Sequence, residues 1–456
     1  MTRNAVERRT QEECEIERLV PGGEGFTRLA DGRAAFAAGA LPGDRIRARR
    51  IDERRDFVRV LEWELVVAGP DRVDPPCPIA DACGGCGLMR LSSSAQHAVK
   101  ADMLREALRR TGRFYDLPDP IPLVTAGSDV GYRQRLRLHV DASGRLGLFA
   151  RSSHELVEIP SCVVCRPELD QALHELRAIV ERDRPALAEL ASELEIRVAA
   201  AGAPIVLVVQ PSRTSGGMKP GDSRRAARAK SRERPASAKL SARARALLDV
   251  LAGRFAVWLP GSTDERQNQR FLLPGGIELE VPPDAFVQVN WEVNEKLVQA
   301  VVTGARERAA RRFCDVYCGA GNFTLPLLAA GLSGVGIDRN TSAVEAARRA
   351  ARKAGLTAHF LAGDAAELVR RLAAARDAFD LVLFDPPRTG VEREALEQVL
   401  RLSPAHIAMC SCDAPSLARD SRMLCDRGYA LKTVIGFDMF PHTFELEALA
   451  WLVRSA

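Results

Sequence analysis

From Ala310 to the C-terminus, short apolar runs alternate with amphipathic stretches. The runs lie near Cys314–Tyr317, Gly334–Asp338, Ala358–Ala362, Asp380–Phe384 and Ile407–Cys412. Apolar runs of this length, each followed by a helical period, predict a parallel sheet covered by helices on both faces. Two further runs, near Ala430–Phe437 and Glu445–Val453, predict a closing hairpin and so a seven-stranded, Rossmann-like α/β sheet. The start of the chain has a different rhythm. From Glu13 to about Leu65, short alternating runs are broken by glycines, which predicts a small OB-like β-barrel. Between these halves the pattern predicts a helix over Leu91–Thr111, a hairpin over Gly131–Leu148, a helix over Pro167–Arg184 and strands within Glu193–Gln210. The expected architecture is therefore multi-domain: a β-barrel over 1–66, a central α+β domain over 67–270 and an α/β domain over 271–456.

The first strand–turn–helix of the α/β part reads FCDVYCGAGNFTLPLLAAGLSGVGID, residues 313–338. Gly319 and Gly321 allow a tight turn and close approach of backbone to ligand, and Asp338, ending the second strand, can bind ribose hydroxyls. The dinucleotide fingerprint needs a third Gly or Ala where Thr324 stands. Asp315, just ahead of the loop, suits instead the methionine-derived end of S-adenosylmethionine. Ligands of open α/β sheets bind beyond the carboxyl ends of the parallel strands. The Gly319–Asn322 loop, Asp338, the Asp385-Pro386-Pro387-Arg388 turn and Ser411-Cys412 all fall at that edge. An antiparallel last strand begins there too and brings Glu445 and Glu447.

A cysteine and a carboxylate facing a methyl donor suit methylation of carbon 5 of uracil. That carbon becomes nucleophilic once a thiolate adds to carbon 6, and a base must later remove its proton so that the thiol can leave. Cys412 fits the nucleophile and Glu447 the base. Taken singly, each residue reads equally as an inert thiol or a solvated carboxylate at a strand end.

Charge adds a second theme. The chain of 456 residues is 46% hydrophobic and carries a formal net charge of +5. Eleven Lys and Arg fall between Arg213 and Arg245 against only Asp222 and Glu233, so the rest of the chain is net acidic. This Ser-, Gly- and Ala-rich stretch reads as a disordered insertion, either merely solvated or able to contact phosphates. Arg45, Arg47 and Arg49 share one face of a predicted barrel strand, and Arg133, Arg135 and Arg137 share one face of the central hairpin beside Tyr132. Tyr132, Arg133 and Arg135 are the candidate RNA contacts; a solvated strand face is the alternative. No run of 18 apolar residues and no apolar signal region occur, so a cytoplasmic protein with no membrane association is expected, and the eleven cysteines do not read as a disulfide framework.

Three of those cysteines stand in CPIADACGGC: Cys77, Cys83 and Cys86. With two glycines permitting a tight wrap, the spacing suits a metal or iron–sulfur centre completed by Cys162 or Cys165; zinc with four thiolates is the competing reading.

The stretches DVYCGAGNFTLP, FDPPRTG, CSCDAPSLARD and DMFPHTFELE resemble the signature motifs of the RNA uracil-5 methyltransferases, and CPIADACGGC with the later SC is similar to the iron–sulfur motif of the 23S rRNA branch. The N-terminal barrel resembles the TRAM domain of that branch, and the likeness spans nearly the whole chain outside the basic insertion. The resemblance implies methylation of a uridine in RNA, 23S rRNA first and tRNA as the alternative, by a protein expected to be monomeric. It implies Cys412 as nucleophile and Glu447 as base. Gln288, Tyr317, Gly319, Asn322, Asp338, Asp364 and Asp385 would line S-adenosyl-L-methionine or the target base. Cys77, Cys83, Cys86 and Cys162 would hold a 4Fe–4S cluster. Asp338 stands where close relatives have Glu; Glu445, Cys410 and Cys165 are rivals for the base, the nucleophile and the fourth cluster ligand. A radical or redox iron–sulfur enzyme using S-adenosylmethionine is the remaining alternative, although such enzymes space their cysteines three then two, against five then two here.

Overall fold

A computed structural model describes residues 6–20, 22–151, 153–199, 203–212 and 240–455. Its largest sheet has eight strands: β1 (Leu123–Val124), β2 (Arg312–Val316), β3 (Ser333–Asp338), β4 (His359–Ala362), β5 (Leu381–Phe384), β6 (His406–Ser411), β7 (Tyr429–Phe437) and β8 (Glu447–Arg454). Their order is β4-β3-β2-β5-β6-β8-β7-β1. Strands β2 to β6 are parallel, and β8 runs antiparallel between β6 and β7. These are the seven strands predicted from the sequence. The eighth, β1, is two residues long and comes from far upstream, pairing Leu123 and Val124 with Gly436 and Phe437.

The strands are apolar throughout because both faces are covered. Val316, Ile337, Phe384 and Met409 face one core, while Phe313, Leu383 and Cys410 face the other. Helix α1 (Ser93–Arg110), capped by Ser92, sends Leu104 and Leu108 into the first of these cores. Helix α1 and β1 thus lie in the expected central segment by sequence but join the C-terminal sheet by packing. The helix over Trp291–Glu307 closes the second core.

The N-terminal strands form a separate seven-stranded sheet around Ile16, Ala35, Ile46, Ala48, Ile51 and Val58. A six-stranded central sheet includes the predicted hairpin, Arg135–Val140 paired with Leu146–Phe149. Most of the basic insertion, 213–239, lies outside the described residues. Its last part departs from the expected disorder: Arg243 and Arg245 belong to a helix over Ala242–Ala252, capped by Ser241, with Arg243 on Asp183. Among the described residues no helix is long and apolar enough to cross a membrane.

Candidate active site

Strand register brings the candidate pair, Cys412 and Glu447, together. In the antiparallel pair β6–β8, Ser411 lies opposite Ala448. One step further along, Cys412 and Glu447 are the next facing positions. Cys412 follows the last residue of β6 and precedes Asp413, which caps the helix over Ala414–Cys425. Cys410, the rival thiol, is fully buried in the apolar core.

The two glutamates live in different environments. Glu447 is 5% exposed, and burial, then the Asp385 charge, pushes its pKa well above the carboxylate range. Glu445 sits at the surface and meets Arg388 at 3.0 Å. Burial and then Glu447 push the Cys412 thiol up to about 12, while Arg388 pulls the other way. A carboxylate held at high pKa is a strong base, as abstraction of a carbon-bound proton requires.

Next to this pair lies the turn after β2. Tyr317 has a left-handed backbone (φ 71°), followed by Gly319 at 54° and Gly321 at 91°. A Cβ on Gly321 would come within 2.9 Å of Leu325. Gly319 donates its N–H to Asp338 at 2.9 Å, and the other Asp338 oxygen takes the N–H of Asn340 at 2.7 Å. Thr324, which breaks the dinucleotide fingerprint, is tied to the strand before the turn, where its hydroxyl donates to the buried Asp315 at 2.5 Å. Burial pushes both Asp315 and Asp385 up to about 7. Asn322 exchanges amide hydrogen bonds with Asn294 at 2.9 Å. Asp364 caps the helix over Ala365–Ala374 and lies 4.0 Å from Arg339. Gln288 is buried, its backbone carbonyl accepting from Gln134. Gln288 Oε1, Tyr317 Oη and Asp315 Oδ1 are buried without a protein partner. Unpartnered buried polar atoms are unfavourable unless something else satisfies them, so these three are free to meet a polar ligand.

A cavity of about 510 Å³ opens beside Arg388 and Glu445 and reaches the Gly84–Gly87 loop; Arg133, Arg135, Arg137 and Arg151 line it. Arg135 also lies 4.7 Å over the ring of Phe286, which is 62% exposed. Phe286 was not singled out from the sequence. In sequence it is an aromatic two positions before Gln288, between Ala285 and Val287. Tyr132, a candidate RNA contact, is 8% exposed and its hydroxyl donates to the Pro441 carbonyl at 3.1 Å. The arginines of the N-terminal sheet are engaged, Arg45 and Arg47 with Glu13, and Arg49 with Glu64.

Cys77, Cys86 and Cys162 pack with Met89, Tyr132 and Val164 in one small cluster, and Cys83 interacts electrostatically with Cys77 and Cys162. Among the described residues, no three His, Cys, Asp or Glu are spaced to hold a single metal ion. The hydrogen bond with Cys165 lowers the pKa of Cys162 and raises that of Cys165, so Cys162 is the better thiolate.

A family model described as tRNA (Uracil-5-)-methyltransferase matches residues 276–455. A 23S rRNA (uracil(1939)-C(5))-methyltransferase of Chromohalobacter salexigens is 34% identical over 98% of this chain and 90% of its own length. An uncharacterised RNA methyltransferase of Gloeobacter violaceus is 32% identical over 96% of both chains. The chain belongs to the RNA uracil-5 methyltransferase family. The fold agrees: the crystal structure of Pyrococcus abyssi tRNA (uracil-54, C5)-methyltransferase with S-adenosyl-L-homocysteine aligns at a TM-score of 0.70, covering 97% of this chain and all of that one at 22% identity.

Proposed function

We propose that this methyltransferase transfers a methyl group from S-adenosyl-L-methionine to carbon 5 of a uridine in 23S rRNA, through a covalent adduct on Cys412 that Glu447 resolves. The observation that carries the mechanism is the register that faces a partly accessible thiol with a buried, high-pKa carboxylate. The choice of 23S rRNA rests on full-length likeness to relatives named for that substrate.

The donor, when bound, supplies an electrophilic methyl group. Asp338 would take its ribose hydroxyls, Asp364 the far side of its nucleoside, and Gln288, Tyr317, Gly319, Asn322 and Asp385 the remaining polar groups of donor and base. Cys412 gives up its proton and its sulfur bonds to uracil carbon 6; the displaced electron pair makes carbon 5 nucleophilic. Once carbon 5 carries the methyl group, Glu447 takes its proton, the carbon 5–carbon 6 double bond re-forms and the sulfur leaves as thiolate. Arg388, next to both groups, favours the charged forms of each.

Cys77, Cys83, Cys86 and Cys162 would hold a 4Fe–4S cluster, which would tie the Gly84–Gly87 loop to the segment after the central hairpin. Zinc would need its thiolates about 2.3 Å from one point. The thiols of Cys77, Cys83, Cys86 and Cys162 lie close enough to bear on one another electrostatically. Arg133 lies close enough to Cys86, Cys162 and Cys165 to offset their negative charge. The N-terminal sheet would act as a TRAM-like RNA-binding barrel.

The direct test incubates the purified protein with labelled donor and 23S rRNA lacking this modification. 5-Methyluridine at one position is the expected product. Methylation of tRNA alone would move the substrate to the alternative branch, and iron and sulfide analysis with visible absorption tests the cluster.

A further inference from the structure

Glu447 reaches the site at the end of a loop, Asp438–Leu446, that is held at three successive carbonyls from outside itself. Lys100 Nζ donates to Phe440 O at 2.9 Å, Tyr132 Oη to Pro441 O at 3.1 Å and the Leu88 N–H to His442 O at 2.8 Å. The donors come from α1, the central hairpin and the cysteine loop. His442 is held in a left-handed conformation (φ 67°), a strained state that persists only where surroundings over-determine it. Gln96 does so: its carbonyl takes the His442 N–H at 2.9 Å and its amide lies 3.1 Å from Nδ1.

Lys100 is the unusual member. It is fully buried on α1, and its ammonium meets Asp438, itself 1% exposed, at 2.5 Å. His97 adds a contact to the other Asp438 oxygen at 3.5 Å. Removing two charges from water consumes most of what their attraction returns, so a buried ion pair is a poor device for stability and a good one for fixing a single geometry. Here the geometry fixed is the start of the loop that ends in Glu447. Lys100 is fully buried, so its effect would pass through Asp438 and the Phe440 carbonyl.

We propose that Lys100 is a positioning residue for proton abstraction, holding the Asp438–Leu446 loop so that Glu447 stands at the right depth against the Cys412 adduct. This rests on the reading of Glu447 as the base. Loss of the Lys100 contacts should then impair the last chemical step more than the first. Cys412 lies between β6 and the helix over Ala414–Cys425, whereas the polar contacts of Lys100 go to Asp438 and Phe440.

The test uses the full chain with Lys100→Met, and with Lys100→Met and Asp438→Leu together, which removes both charges and leaves an apolar pair that folds where the single change strands a buried carboxylate. Tyr132→Phe, which deletes only the second carbonyl contact, is the mild third variant. Single-turnover methyl transfer, steady-state turnover and the fraction of protein trapped as labelled RNA adduct on a denaturing gel are measured alongside thermal melting. For Lys100→Met and the double variant the expected result is a steady-state loss of about 10- to 100-fold, first-turnover methylation within about threefold, and an accumulated adduct. Tyr132→Phe should shift the same way by less. Equal loss of both steps without adduct, or normal turnover in a folded variant, overturns the proposal. So does failure of both Lys100 variants to fold, which would make Lys100 a folding element. Glu447→Gln run in parallel separates the two readings: if it traps no adduct, the assignment of the base has failed rather than the role of Lys100.

Discussion

The N-terminal sheet and the carboxyl edge of the C-terminal sheet use charge in opposite ways. On the first, charged residues are exposed and answered: Arg45 and Arg47 by Glu13, Arg49 by Glu64, Arg50 by Glu62, Arg59 by Glu24. On the second, Asp315, Asp385 and Glu447 are crowded together inside the protein, all with raised pKa, and Arg388, the cation that bears on Glu447, is itself taken by Glu445. A row of arginines announces itself in sequence, yet within this sheet it is already neutralised. A buried carboxylate looks ordinary in sequence, yet burial raises its pKa and sets it apart in the fold. Unanswered charge, rather than charge, sets the candidate site apart.

The largest effects should come from the unanswered edge. Cys412→Ala should abolish methyl transfer, a loss of at least about 10⁴-fold measured as labelled methyl in RNA, because no other route makes carbon 5 nucleophilic. Residual turnover within tenfold of the parent would remove the covalent mechanism.

Asp315→Asn should improve stability while harming donor binding. The folded pKa of Asp315 lies above its unfolded value, so the folded state holds the extra proton. Stability should then fall as pH rises from about 4 towards the folded value of about 7. Asparagine keeps an acceptor for Thr324 without the buried charge. Melting at pH 8 without donor should rise by the equivalent of about 1–3 kcal/mol, and the further rise on adding S-adenosyl-L-methionine should shrink. An unchanged donor response would move Asp315 out of the donor site.

A smaller effect is expected from the central sheet, which stands between the extremes. Arg135, Arg137 and Arg197 share Glu195, with Glu193 helping only Arg137, so positive charge is left over along the cavity. Arg135→Ala with Arg137→Ala should weaken RNA binding about 10-fold and reduce the salt slope by about one to two. The smallest effect belongs to the N-terminal sheet: Arg45→Ala with Arg47→Ala should change RNA affinity by no more than about twofold. A larger loss there would show that RNA displaces Glu13, and would erase the contrast between the sheets.

Much of the C-terminal half is legible in the sequence because parallel strands covered on both faces must be apolar along their whole length. Once β6 and β8 are recognised as neighbours of opposite direction, Cys412 and Glu447 meet by register. Three features escaped for identifiable reasons. Strand β1 has two residues, too few for any period, and is fixed only by its partner Gly436–Phe437. Tyr132 alternates with arginines, so its burial under Pro441 depends on a loop more than 300 positions away. Lys100 reads as one more polar residue on an amphipathic helix; only the position of Asp438 makes it a core residue. In each case the deciding contact is remote, whereas sequence patterns report what is local.

The most direct test of the account compares Glu447→Gln with Glu445→Gln after incubation with rRNA and labelled methyl donor, each resolved on a denaturing gel. Glu447→Gln should still add through Cys412 and still methylate, then stall as a labelled protein–RNA adduct, while Glu445→Gln, which loses only a surface contact with Arg388, should turn over and leave no adduct. Adduct in Glu445→Gln and not in Glu447→Gln would contradict the assignment of the base, and loss of activity in both without any adduct would contradict the covalent route.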